Sequence, residues 1–302
     1  MKKGFTLLEL VVVIVITGAL TYMGTEIALN IYKNYLQSRA INTLETQTEI
    51  VLEQISKRLA IRVKGSSIGR KKNSYEDFIS LQDPSLNQDY NILEWISYSY
   101  ESFQNGGWSG FADLKNTITS RTGVSEGTIL TPQSNLGLAN NDISDLTNKK
   151  ATLKNSKVGV IFKGIPTDVK TSFGFDGSNT ADSIAIVKDA LDDITLKIDF
   201  PQGNKISEQY YLLHTAYAVV PSNPSENGDF DLMLHYNYRP WIAGEKYNST
   251  ETSKQILATN VTRFNFTSVD GMVVLKLCIR DAGKSLNKDE AEVTVCKTKA
   301  IY

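Results

Sequence analysis

Glu9 is the residue whose position most needs a chemical explanation, because it sits inside an otherwise uncharged apolar run. Between Lys3 and Glu26 the only other ionisable side chain is Tyr22, which is neutral at pH 7. A carboxylate at the centre of a bilayer costs about 2.5–3.5 kcal/mol on insertion scales and marks a specific partner. A plain anchor gains nothing from it. A subunit that docks on another gains a charge that a positive group can meet. Two cysteines, Cys278 and Cys296, form a second candidate pair. If they bridge, no thiol is left over, and such bridges persist outside the reducing cytosol.

Other chemistry is sparse. His214 and His235 lie in strand-like runs without Cys or Glu at metal-ligand spacing, which reads as structural histidine. The turns Asp176-Gly177-Ser178-Asn179 and Glu226–Asp231 offer oxygen ligands, but lack the spacing of a calcium loop ending in a bidentate Glu. Turn chemistry explains them more simply, so no cofactor is expected and calcium is a minor alternative. No P-loop, G-x-G-x-x-G after a strand, H-E-x-x-H or G-x-S-x-G occurs. The expectation is a protein that is not an enzyme.

The element that must position Glu9 is the apolar segment 5–25, long enough to cross a bilayer as a helix, which takes roughly 20 residues. Lys2 and Lys3 precede it, so the positive-inside bias puts the N-terminus in the cytoplasm. A cleaved secretory signal would be shorter and followed by a small-residue site. Here no A-x-A site follows, and hydropathy alone also fits a simple signal-anchor.

Gly4 followed by Phe5-Thr6-Leu7-Leu8-Glu9 resembles the class III leader of type IV prepilins. The resemblance implies that a prepilin peptidase cuts after Gly4 and that the new N-terminal Phe5 is methylated. It also implies that Glu9 pairs with a neighbouring subunit's N-terminal amine as the subunit docks. Other pilins or pseudopilins and an inner-membrane assembly platform would be the partners. Gly18 falls where many pilins have a glycine. Where major pilins usually carry a helix-kinking proline this chain has Glu26, and its first proline is Pro84.

Beyond the span, Ile41, Leu44, Thr48, Val51, Leu52, Ile55 and Leu59 recur at helical spacing, with Glu45, Glu49, Glu53 and Lys57 on the polar side. One helix from Phe5 to about Val63 is expected, membrane-embedded over 5–25 and amphipathic over 26–63. A basic run follows: Lys57, Arg58, Arg62, Lys64, Arg70, Lys71 and Lys72. It could touch phosphates, but no aromatic residue interleaves it and the whole chain carries a net charge of −1. A solvated helix end is the simpler account.

Residues 64–156 read as a loop-rich helical insertion, with helices expected over 75–81, 90–103 and 111–119. From 157 to 302, short β-branched and aromatic runs alternate with turns, and Val269-Asp270-Gly271 signals a tight hairpin. Strands are expected over 157–163, 183–187, 194–200, 209–220, 231–239, 256–268, 272–280 and 292–300, which sets Cys278 and Cys296 on adjacent antiparallel strands. The fold class is α+β: a long N-terminal helix packed on an antiparallel sheet, which is also pilin architecture. The element order is similar to that of large minor pilins and pseudopilins of the J or W type. The resulting expectation is a minor pilin or pseudopilin of the bacterial inner membrane, with its body periplasmic or extracellular. A DNA-uptake minor pilin and a signal-anchored extracytoplasmic binding protein or enzyme are the alternatives.

Overall fold

The computed structural model describes residues 6–120, 126–177, 181–200, 206–281 and 293–302. Helix α1 runs unbroken over Leu7–Ala60, about 80 Å at 1.5 Å per residue. Its buried stripe is Leu44, Thr48, Val51, Leu52, Ile55, Ser56 and Leu59, the 3.6-period face expected from the sequence. The two hydroxyls in that stripe are satisfied within the helix, Thr48 by the Leu44 carbonyl at 2.7 Å and Ser56 by that of Leu52 at 2.6 Å. Lys57 and Arg58 in the last turn complement the helix dipole.

A single antiparallel sheet builds the body. Its strands are β1 (Ile68–Arg70), β2 (Phe78–Ser80), β3 (Ile92–Tyr98), β4 (Glu126–Leu130), β5 (Gly159–Phe162) and β6 (Ile184–Ala190). They continue as β7 (Thr195–Asp199), β8 (Tyr210–Ser222), β9 (Phe230–Tyr238), β10 (Ser253–Val269), β11 (Met272–Arg280) and β12 (Thr294–Ile301). The main path runs β12-β11-β10-β9-β8-β5-β6-β7-β4. β8 is the branch point, pairing with β5, β9 and β3, and β3 in turn carries β1 and β2. One core lies between α1 and strands β3 and β9–β12. A second lies under the short helices α2 (Tyr100–Gln104) and α3 (Leu136–Leu146) and strands β4–β8.

Strand β12 runs alongside α1 in the same direction. Lys297 reaches Glu49 at 3.1 Å and Lys299 pairs with Glu53, one turn further on. Beyond them, the buried Arg62 donates to the carbonyls of Tyr302 and Gly271, both at 3.1 Å. The Asp270-Gly271 turn has φ of 49° and 80° and joins Val269 directly to Met272. Positive φ at both central residues is the two-residue hairpin geometry that Asp-Gly favours.

The structure corrects the reading of 64–156 as helical. Segment 75–81 contains strand β2, and 90–103 is strand β3 followed by the one-turn α2. No helix forms over 111–119, whereas α3, which the sequence reading did not anticipate, does form. β3 is buried on both faces, so Ile92, Leu93, Trp95 and Ile96 show no alternation and their period cannot separate strand from helix. α3 had a readable start, since the Asn135 side chain accepts the Leu138 amide at 2.9 Å as an N-cap.

Candidate functional site

The chemistry of Glu9 begins with its neighbour three residues earlier. Thr6 is the N-cap of α1, and Glu9 sits at the third helical position. The Glu9 carboxylate accepts the Thr6 amide and the Thr6 hydroxyl, each at 3.0 Å, while the Glu9 amide donates to Thr6 Oγ1 at 3.4 Å. This reciprocal capping box satisfies helix-terminal donors that lipid could not. Among the described residues the carboxylate therefore already has donors, although no cation. The sequence reading overlooked Thr6, but its signal was present as T-x-x-E ahead of an apolar run.

The rest of the segment is built to lie in lipid or against another helix. From Leu7 to Tyr32 every side chain is exposed, and the helix is long and apolar enough to cross a membrane. Its hydroxyls are handled locally: Thr21 donates to the Thr17 carbonyl at 2.7 Å and Thr25 to that of Tyr22 at 2.8 Å. A Cβ added at Gly18 or Gly24 would meet no other part of the chain within 4 Å. Gly4 and Phe5 lie outside the described residues.

Residues 1–21 match the family described as the prokaryotic N-terminal methylation motif. This N-terminus supports a type IV pilin-like prepilin. The match covers the leader and the start of α1, and the α+β body behind it fits the pilin plan of a long helix on an antiparallel sheet. No curated protein and no solved structure matches the chain. The motif implies processing by a prepilin peptidase and assembly with other pilins.

The cysteines of this prepilin are joined. Cys278 on β11 faces Cys296 on β12 in register, and a disulfide links them across a Cα separation of 4.0 Å. The bond ties the strand that clasps α1 to the rest of the sheet. The loop between them, 282–292, lies outside the described residues.

The histidines sit in the packed sheet. His214 is buried, and burial, followed by the nearby Arg239 charge, lowers its pKa to about 4. His235 is lowered mainly by burial, although its Nδ1 lies 2.8 Å from the Tyr247 carbonyl. Of the acidic turns, Asp229 pairs with Arg280 and Asp231 accepts from Asn223 at 3.0 Å. Ser178 and Asn179 lie outside the described residues. Among the described residues no three His, Cys, Asp or Glu side chains converge as a metal set.

The basic run does not form a stripe. Arg62 is turned inward onto two carbonyls, and Arg70 is fully buried, with its Nε donating to Glu94 at 2.8 Å. Arg70 also lies 4.1 Å from the Tyr75 ring centroid and 4.8 Å from that of Phe78. Tyr238 donates its hydroxyl to the other Glu94 oxygen at 2.9 Å. Arg70 read as part of a solvated basic run, and nothing in the sequence tied it to Glu94.

Proposed function

We propose that this prepilin is a minor subunit, structural and not catalytic, used at the tip or in the priming complex of a type IV pilus or type II secretion pseudopilus. The observation that carries the reading is the division of α1: its first half is bare and apolar around one capped carboxylate, and its second half is bolted to a folded body. In the proposed sequence the chain inserts with Lys2 and Lys3 in the cytoplasm, the peptidase cuts after Gly4, and Phe5 is methylated. A neighbour's N-terminal amine, a full cation, then replaces Thr6 as the partner of Glu9. In a low-dielectric setting an ion pair outweighs neutral donors, so docking is favoured over waiting in the membrane. No cofactor is needed for this sequence.

Placement at the tip or in a priming complex is supported by the size of the body. A sheet branching at β8 and carrying an extra lobe under α2 and α3 is bulky for a unit repeated along a shaft. The test is intact mass of the chain from its own host, with Gly4→Ala and Glu9→Gln variants. Loss of four residues and gain of one methyl is expected, with Gly4→Ala uncut and Glu9→Gln processed but absent from filaments. An uncut, unmethylated wild-type chain would reduce the protein to a membrane anchor. Even labelling along purified filaments would rule out the tip.

A further inference from the structure

Apart from α1, the large apolar side chains left exposed are concentrated on one lobe. Tyr100, Phe103 and Phe111 are 39%, 40% and 41% exposed, and Ile118, Leu191 and Ile194 are exposed with them. Backbone bonds draw the last segments together, with the Asp113 amide on the Leu130 carbonyl at 2.9 Å and the Thr131 amide on that of Ile194 at 2.7 Å. The aromatic members stand on a fixed base. Phe103 packs on Trp108 with centroids 4.9 Å apart, and the Trp108 Nε1 donates to the Ser99 carbonyl at 3.0 Å. Tyr100 meets Tyr98 edge-on at 6.1 Å. Rings held this way lose little entropy on contact, the property of interface anchors.

The lobe lies far from the lipid. The Tyr98 amide bonds the Ile61 carbonyl just past the end of α1, and the helix climbs about 50 Å between Glu26 and that end. Its rim is mainly acidic: Glu101, Asp192, Asp193 and Glu208 are exposed and have no ion pair with any described residue, against one exposed cation of the Phe111–Ile118 segment, Lys115. The cation beside the aromatic cluster, Lys163, is already seated over Tyr211 at 4.2 Å, and the same ring stacks on Tyr98 at 4.6 Å.

An apolar centre with an unpaired acidic rim calls for a partner of opposite design, since rim charges select by complementarity. We propose that this lobe docks an extracytoplasmic protein presenting an apolar patch ringed by lysine or arginine. The proposal rests on the body standing outside the membrane and is independent of whether the subunit is assembled.

The test places the photo-crosslinking residue benzoylphenylalanine at Phe103 of the full chain in its own host, with Thr298 on the sheet as the control position. The expected result is one protein adduct at Phe103, identified by mass spectrometry as having a basic apolar surface, and none at Thr298. Reversing the rim with Glu101→Lys and Glu208→Lys should cut adduct yield roughly tenfold, as loss of cross-interface charge pairs does. Formation of the Cys278–Cys296 bond in the variant shows that the body has folded. No adduct, an adduct to the chain itself or to a glycan, or a yield indifferent to reversal would overturn the proposal. Repeating it with Gly4→Ala keeps the two readings separate, because docking is expected to survive even where processing and assembly fail.

Discussion

Arg70 on β1 and Glu94 on β3 form a 2.8 Å ion pair with both side chains fully buried. The pair crosses directly adjacent strands, where Arg70 aligns with Ile92 and Ile68 with Glu94. Tyr238 from β9 donates to Glu94, and the Tyr75 and Phe175 carbonyls accept from Arg70. Removing one partner leaves an uncompensated buried charge, at a cost of about 3–5 kcal/mol. Arg70→Ala should therefore lower stability by that order, and Arg70→Met with Glu94→Leu should recover much of it. Denaturant unfolding of the detergent-solubilised chain measures both, and equal losses in the single and double variants would refute the assignment.

The burial of Arg70 also changes how nucleic-acid contact is tested. Reversal of Arg70 disrupts the fold, so of Arg70, Lys71 and Lys72 the clean readout comes from the half-buried Lys71 and the exposed Lys72. Lys71→Glu with Lys72→Glu should leave DNA retention by filaments unchanged. A drop accompanied by an altered salt slope would instead support phosphate contact.

Thr6→Val removes both the hydroxyl and the cap, which is worth about 1 kcal/mol. It should leave cleavage intact and reduce the fraction of subunits recovered in filaments, with Thr6→Ser restoring it. The measurement is intact mass together with filament yield. Full yield for Thr6→Val would mean that the capping box plays no part before docking.

The disulfide has a predictable mechanical partner. Cys278→Ser with Cys296→Ser should cost about 2–4 kcal/mol and raise amide exchange in β12 and in the buried turns of α1, because β12 is the strand that Lys297, Lys299 and Arg62 tie to the helix. Exchange confined to β12, with α1 unaffected, would show that the helix is held by other strands.

His214 sets a pH limit. Its folded pKa of about 4 lies below the unfolded value of about 6.5, so between these pH values the unfolded chain binds the proton more readily. Stability is full above about pH 6.5 and falls as the pH drops toward 4, by roughly 3 kcal/mol in all. His214→Gln should flatten that part of the stability profile. An unchanged slope would assign the acid sensitivity to other groups.

The parts of this fold legible in the sequence were those where one local signal acts alone. The seam of α1 follows a 3.6-residue period because one face meets the sheet and the other meets water. The β10–β11 hairpin shows through Asp270-Gly271, since few other pairs adopt its backbone angles. β3 was hidden because both its faces are covered, which erases the alternation that marks a strand. The Arg70–Glu94 pair was hidden because nothing local distinguishes a charge with a distant partner from a solvated one. At the candidate site, Glu9 was conspicuous as a lone charge among apolar residues, whereas Thr6 mattered only through the bonds that it makes to Glu9.

Helix α1 has no proline, and sharp bends in helices arise at proline, paired small residues or inserted groups. The subunit therefore has no elbow between its lipid end and its body. Any tilt at the base is passed undiminished to the top: leaning the roughly 80 Å rod by about 10° sweeps its far end through roughly 14 Å. Conversely, a load on the α2–α3 lobe is delivered along a stiff strut to the turn that holds Thr6 and Glu9. A pull or push on the body is thus mechanically geared to the carboxylate at the other end.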